Sequence, residues 1–259
     1  MSSYVEYRDA TDTAASPSPI IWADCSVRDF MERGTGYFFQ DDFLVVPEPV
    51  TNVAETAAQV GNYQTFTGAD SVITGIAGTG GEIFINASAS NVGCGIRGGG
   101  APFTLAAGAK KLWFEARVKF GTIDDSQNGA FIGLYEDVAM TNTVPIAAAG
   151  TLADENFVGF HRLESDGDKL DVVHKKDGVT QVSVADQVTL TADTYVKIGM
   201  KFADDSMEFY ADGVLLTTIA NTATSFPSDI NLGIMFTTLG AAAEDTGVTM
   251  DWWRVAQAR

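Results

Sequence analysis

The chain has 259 residues, 46% of them apolar and 19% charged, with 34 acidic against 16 basic side chains and a formal charge of −18. That composition is globular rather than disordered, and its negative field repels polyphosphate, which excludes nucleic acid as an expected partner. Acidity of one sign also keeps a concentrated protein soluble until a specific contact forms.

Met1 to Asp24 carries neither a basic n-region nor an apolar core of about seven residues, so no secretory signal is expected. No stretch approaches the roughly 18 apolar residues of a membrane span. The expectation is a protein made in a reducing cytosol, where Cys25 and Cys94 default to free thiols. A single bridge between them stays open.

Residues 1–36 are polar and turn-rich. Ser16-Pro17-Ser18-Pro19 precedes an isolated apolar patch, Ile20-Ile21-Trp22, and the segment reads as an extended arm with one anchoring spot, which either frays or reaches over a neighbouring subunit and docks Trp22. Residues 37–259 read as one β-sandwich domain, looser and Gly-rich over 37–104 and best defined over 105–258. Its first strand material is YFFQDDFLVV (37–46). Short strands follow around Glu82–Ala87 and Gly93–Arg97. A GxGxxG pattern at Gly93, Gly95 and Gly98 lacks the helix that phosphate binding needs, because Gly99-Gly100-Ala101-Pro102 comes next.

From residue 112 the alternation is clear. LWFEARVKF puts Leu112, Phe114, Ala116, Val118 and Phe120 on one face and Trp113, Glu115, Arg117 and Lys119 on the other, the period of a half-buried strand. Further strands are predicted at 130–135, 157–163, 170–175, 179–184, 195–202, 207–211, 214–219, 230–238 and 248–256. No segment of helical length keeps a 3.6 period, so an all-β antiparallel sandwich is expected.

Two hairpins fix registers. A turn at Asp204-Asp205 sets Phe202 against Met207, Met200 against Phe209 and Ile198 against Ala211, and places Lys201 opposite Glu208 and Lys197 opposite Asp212. Asp212-Gly213, a favoured two-residue turn, sets Phe209 opposite Leu216. A turn centred on Asp166-Gly167 sets Arg162 opposite Asp171 and puts the only two histidines, His161 and His174, diagonally on one face. No third ligand stands near that pair in this register, so ordinary polar residues on a wet face outweigh a metal site there.

The succession KLWFEARVKF, GAFIGLYED, NFVGFHRLESDGDKLDVVHKKDG, TYVKIGMKF, MEFYADGVLL and VTMDWWRVAQ resembles the laminin-G and legume-lectin-like superfamily of concanavalin-like jelly rolls over about residues 105–258. The resemblance implies that the WFEARVKF and MDWWRVAQ strands are neighbours, with 37–46 as an edge or closing strand. It extends to bacteriophage structural proteins, which carry such a domain behind a YFFQDDF-like segment. The implied role is a virion surface protein, a capsid decoration or cement protein. It would be made in the host cytoplasm, form a homo-oligomer such as a trimer, and contact the major capsid protein or neighbouring virion proteins.

The alternative is a lectin-like carbohydrate-binding module, on a tail fibre for example, with Trp113, Tyr210 and Trp253 as stacking surfaces. Laminarinase-like glycosidases share the fold but carry ExDxxE on the active strand. Alternate residues there share a face, so two carboxylates flank one glycosidic bond. The nearest match, Glu164-Ser165-Asp166-Gly167-Asp168-Lys169, ends on lysine and lies in a turn. No catalytic residue is assigned and no enzyme is expected. No cofactor is required, although lectin-like domains suggest calcium as a candidate cation on Asp166 and Asp168.

Overall fold

The computed structural model describes residues 15–43, 58–60, 63–76, 81–87, 89–98, 100–124, 128–142, 145–146, 152–163, 166–240 and 247–259. These build two antiparallel sheets packed face to face. The first runs Val214–Ala220 (β15), Ser206–Ala211 (β14), Tyr195–Ala203 (β13), Leu112–Phe120 (β8), Val248–Ala258 (β17), Ile83–Asn86 (β5) and Val72–Gly75 (β4). Gly36–Asp41 (β1) shares the outer edge of β17 with β5, pairing residues 253–258 while β5 pairs 248–250. The second runs Val182–Thr189 (β12), Lys169–Lys175 (β11), Phe157–Arg162 (β10), Asn128–Glu136 (β9), Asn231–Gly240 (β16), Gly93–Gly98 (β6), Tyr63–Thr67 (β3) and Ala58–Val60 (β2), with Phe103–Thr104 (β7) on β16.

The strand alternation decides what lies between the sheets. Phe114, Val118, Ile198, Met200, Phe202, Met207 and Phe209 of the first sheet meet Ile132, Leu134, Val158, Phe160, Val172 and Phe236 of the second in one apolar core. β8 and β17 are neighbours, and of the edge strand expected over 37–46 the structure forms Gly36–Asp41, while 44–46 lie outside the described residues. The GxGxxG glycines lie within β6. Cys25 and Cys94 are both free and buried.

The β13–β14 hairpin has the expected register, with Phe202 opposite Met207, Lys201 opposite Glu208 and Ile198 opposite Ala211. Asp212 N–H donates to Lys197 O at 2.8 Å, continuing the ladder. Asp204, Asp205, Asp212 and Gly213 all have positive φ, as two-residue hairpin turns require. The opposed charges nevertheless find other partners. Lys201 Nζ lies 3.1 Å from Asp24, Lys197 Nζ donates to Ser16 O, and Glu208 accepts from Tyr210 Oη.

Besides the strand expected at 179–184, which runs over Val182–Thr189, four details differ from the sequence expectation, and three trace to bulges or turn length. A register shift between Phe209 and Tyr210 sets Phe209 opposite Thr217 rather than Leu216. The β10–β11 connection is longer than a tight turn, so His161 rather than Arg162 faces Asp171. Arg162 instead donates to Gly167 O and Asp124 O. The odd and even positions of these strands then part the histidines: His161 faces outward, and His174 turns inward against Phe226 and Ser225. A third shift between Met250 and Trp252 moves Trp253 into the core, where Nε1 donates to Tyr63 Oη at 2.9 Å.

The fourth difference is the arm. Residues 15–36 are not extended: Pro19–Trp22 forms one helical turn and Val27–Arg33 a second short helix, closed by Gly34 at φ 63°. The segment lies on the outer face of the first sheet of its own chain. No helix among the described residues is long and apolar enough to cross a membrane.

Candidate functional site

The N-terminal segment covers part of the outer face of the first sheet. Trp22 and Trp113 are buried there with Ile21, Cys25, Phe30, Tyr210 and Ala256. Beneath them Glu115, also buried, accepts hydrogen bonds from Ser18 N–H and Trp22 Nε1–H. Asp24 accepts from Trp113 Nε1 at 2.8 Å and pairs with Lys111 and Lys201. Trp252 Nε1 donates to Ala15 O. Trp22, Trp113, Tyr210 and Trp253 are therefore all spent on intramolecular packing, and none offers a face to a sugar or a neighbouring subunit.

The outer face of the second sheet is differently built. Gly133 and Gly159 face each other across β9 and β10, and a Cβ on Gly133 would sit 2.5 Å from Val158 O. Only glycine permits that approach. The rings of Phe131, Tyr135 and Phe157 gather beside it, with Tyr135 stacked on Phe157 at 5.6 Å. Met140, Ile146 and Leu152 of the β9–β10 connection cover these rings.

Polar groups rim this aromatic floor at the ends of β9 and β10. Glu136 and Glu155 are hydrogen-bonded to each other, and both are partly exposed. Asn156 Nδ2 donates to Glu136 Oε2 at 2.7 Å, and Asn156 Oδ1 accepts from Asp177 N–H. Lys175 pairs with Asp154 at 2.6 Å. The shared hydrogen bond with Glu136, then burial, then the charges of Glu136, Asp177 and Asp154 push the Glu155 carboxyl up to about 7. Burial and the two glutamate charges raise the Tyr135 phenol. One carboxyl of this pair thus holds its proton near neutral pH, where an ordinary glutamate has lost it.

At the opposite end of β10, six residues from Glu155 and so about 20 Å along the strand, stands a second polar group. His161 faces Asp171 across the ladder, and Asp166 comes from the connecting turn. Asp168, expected beside Asp166 as a calcium ligand, instead pairs with Lys169 at 3.2 Å. Glu164 and Ser165 of the ExDxxE-like stretch lie outside the described residues.

Sequence reading missed the Glu136–Glu155 pair because the two residues are far apart along the chain and follow no motif. The signal was present only as NFVGF and GLYED, whose pairing across β9 and β10 had to be known first.

No family model matches the chain, and no curated protein matches it. Solved structures do match. A Crh5 transglycosylase in complex with NAG is similar at a TM-score of 0.56 and 13% identity, over 87% of this chain and 86% of the other. A β-1,3-glucanase from Mycobacterium marinum gives 0.53 at 12% identity, over 84% and 97%. The carbohydrate recognition domain of Emp46p gives 0.54 at 9% identity, over 75% and 88%. At such identities the likeness establishes the fold, a concanavalin-like jelly roll.

These neighbours correct two expectations. They are glycan-processing and glycan-recognising proteins, which overturns the reading of the chain as a capsid decoration protein of a bacteriophage particle. Two of the three are enzymes, so the exclusion of catalysis drawn from the missing ExDxxE pattern is withdrawn as well.

Proposed function

We propose that this chain binds glycans of the β-glucan class at the polar rim on the outer face of the second sheet. The observation that carries the reading is the grouping of Glu136, Glu155 and Asn156, with their donors and acceptors, at one end of the β9–β10 ladder. Sugar hydroxyls need several convergent polar partners, and the partly exposed Glu136 and Glu155 beside Asn156 supply them. The fold shared with a β-1,3-glucanase supports that ligand class, and the fold shared with a transglycosylase and a carbohydrate recognition domain supports glycan binding more broadly.

Titration of the protein with β-1,3-glucan oligosaccharides in a calorimeter tests this. Saturable binding is expected, weakened about tenfold, or about 1.4 kcal/mol, by Asn156→Ala. Absence of heat with β-1,3-linked, β-1,4-linked and mixed-linkage oligosaccharides would count against it.

A second reading, glycosidic-bond chemistry, is favoured by one observation: the Glu155 carboxyl is pushed up to about 7 and so retains a proton to donate to a leaving oxygen. Glu136 then serves to hold that proton. Release of reducing ends from laminarin, abolished in Glu155→Gln, is the expected outcome of this reading. Equal release by wild type and variant would reject it.

A further inference from the structure

The β10–β11 hairpin gathers three metal-ligand side chains that the glycan reading does not use. His161, Asp166 and Asp171 offer ligand atoms that all lie within 4.8 Å of one another. We propose that they bind a single divalent cation of the zinc class, one imidazole nitrogen and two carboxylate oxygens serving as protein ligands with water completing the shell.

Four features support this. The first is His161 itself. Its ring is 1% exposed, Nδ1 has no hydrogen-bond partner among the described residues, and its contact from Nε2 to Asp171 Oδ2 spans 3.4 Å, longer than an ordinary hydrogen bond. A buried imidazole so weakly satisfied needs an explanation, and an ion drawn between ring and carboxylates supplies one.

The second is that both carboxylates are already oriented. Leu163 N–H donates to Asp166 Oδ2 at 3.0 Å, and Asp186 N–H donates to Asp171 Oδ1 at 2.9 Å. Asp186 has φ 58° and sits where β12 shifts register opposite Asp171, so the bulge aims a backbone donor at the carboxylate. Such outer partners fix ligands in metal centres.

The third is charge. A neutral imidazole and two carboxylates balance a divalent ion. The neighbouring cations are engaged elsewhere, Lys169 with Asp168 and Thr189, and Arg162 with Gly167 O and Asp124 O.

The fourth is the donor set. One nitrogen and two oxygens suit a four-coordinate zinc-class ion with an open position, whereas calcium takes six to eight oxygens.

The test is calorimetric titration of the chelator-stripped, full-length protein with zinc chloride near pH 7, with calcium chloride as the comparison. One equivalent of zinc is expected to bind, weakened at least tenfold in Asp166→Asn and in His161→Gln, and unchanged in Asp168→Asn. Asp166 lies in a half-exposed turn, so its variant keeps the native circular dichroism and remains informative if the buried histidine variant misfolds. Three outcomes would overturn the assignment: no one-equivalent zinc event, a zinc event indifferent to Asp166→Asn, or calcium binding as tightly as zinc.

Discussion

Trp22 Nε1 donates to Glu115 Oε2 at 2.7 Å, joining a residue of the N-terminal segment to the middle of a core strand. Ser18 N–H adds two more contacts, at 3.0 and 3.2 Å, to the same carboxylate. A carboxylate buried in this way is tolerated because these two donors and the Lys197 charge oppose the cost of burial, which still leaves its pKa raised.

Trp22→Phe keeps the ring contacts and removes one donor from Glu115. The loss of a buried hydrogen bond to a charged group costs about 1–3 kcal/mol, and urea unfolding should show a lower midpoint with an unchanged slope. Because the Glu115 carboxyl is raised above its unfolded value, its contribution to stability is fully present below the unfolded pKa. It is lost as pH rises through the folded one.

Asp24 shows the opposite sign. Burial raises its carboxyl, but Lys111, Trp113 and Lys201 more than compensate and hold it below the usual range. Its contribution is present above the unfolded pKa of 3.8 and lost as pH falls through the folded value. Asp24→Asn is expected to destabilise the protein by about 1 kcal/mol at neutral pH, the group being partly solvated. It should also speed tryptic cleavage at Arg28 and Arg33, while leaving the cleavage of β8 residues slow.

The sandwich was legible in the sequence because period-two alternation needs no tertiary context. LWFEARVKF and the Asp204-Asp205 and Asp212-Gly213 turns specify faces and partners by themselves, and the Lys201–Glu208 register followed. What escaped was set by bulges and by distant contacts. The shift near Asp251 inverts Trp252 and Trp253, and a one-residue difference in the β10–β11 connection exchanges Arg162 for His161 opposite Asp171. The two short helices escaped because four and seven residues do not reach a readable 3.6 period; they form where Ile21, Trp22 and Phe30 find the first sheet. The Glu136–Glu155 pair escaped because proximity across a ladder leaves no spacing along the chain.

Glu155 makes the stability of the native protein depend on pH in a defined window. Its folded value, about 7, lies above its model-compound value of 4.5, so stability is expected to fall as pH rises between those values. Glu155→Gln removes the repulsion with Glu136. Thermal melts should show the variant with a higher Tm than wild type near pH 8 and no difference near pH 4.

Both thiols should be silent in the native state. Burial pushes the Cys94 thiol up to about 12 and raises Cys25 as well, and only the thiolate is reactive. A thiol reagent should therefore label neither cysteine until denaturant is added, and then label both. Labelling of Cys25 in the folded protein would mean that the N-terminal segment lifts from the first sheet.

The glycan reading is tested most directly by affinity electrophoresis in native gels cast with soluble β-1,3-glucan, comparing wild type with Asn156→Ala and with an unrelated acidic protein. The account predicts that the wild-type chain is retarded in proportion to glucan concentration and that the variant migrates faster. Wild-type mobility identical with and without glucan, across β-1,3, β-1,4 and mixed-linkage polymers, would contradict it.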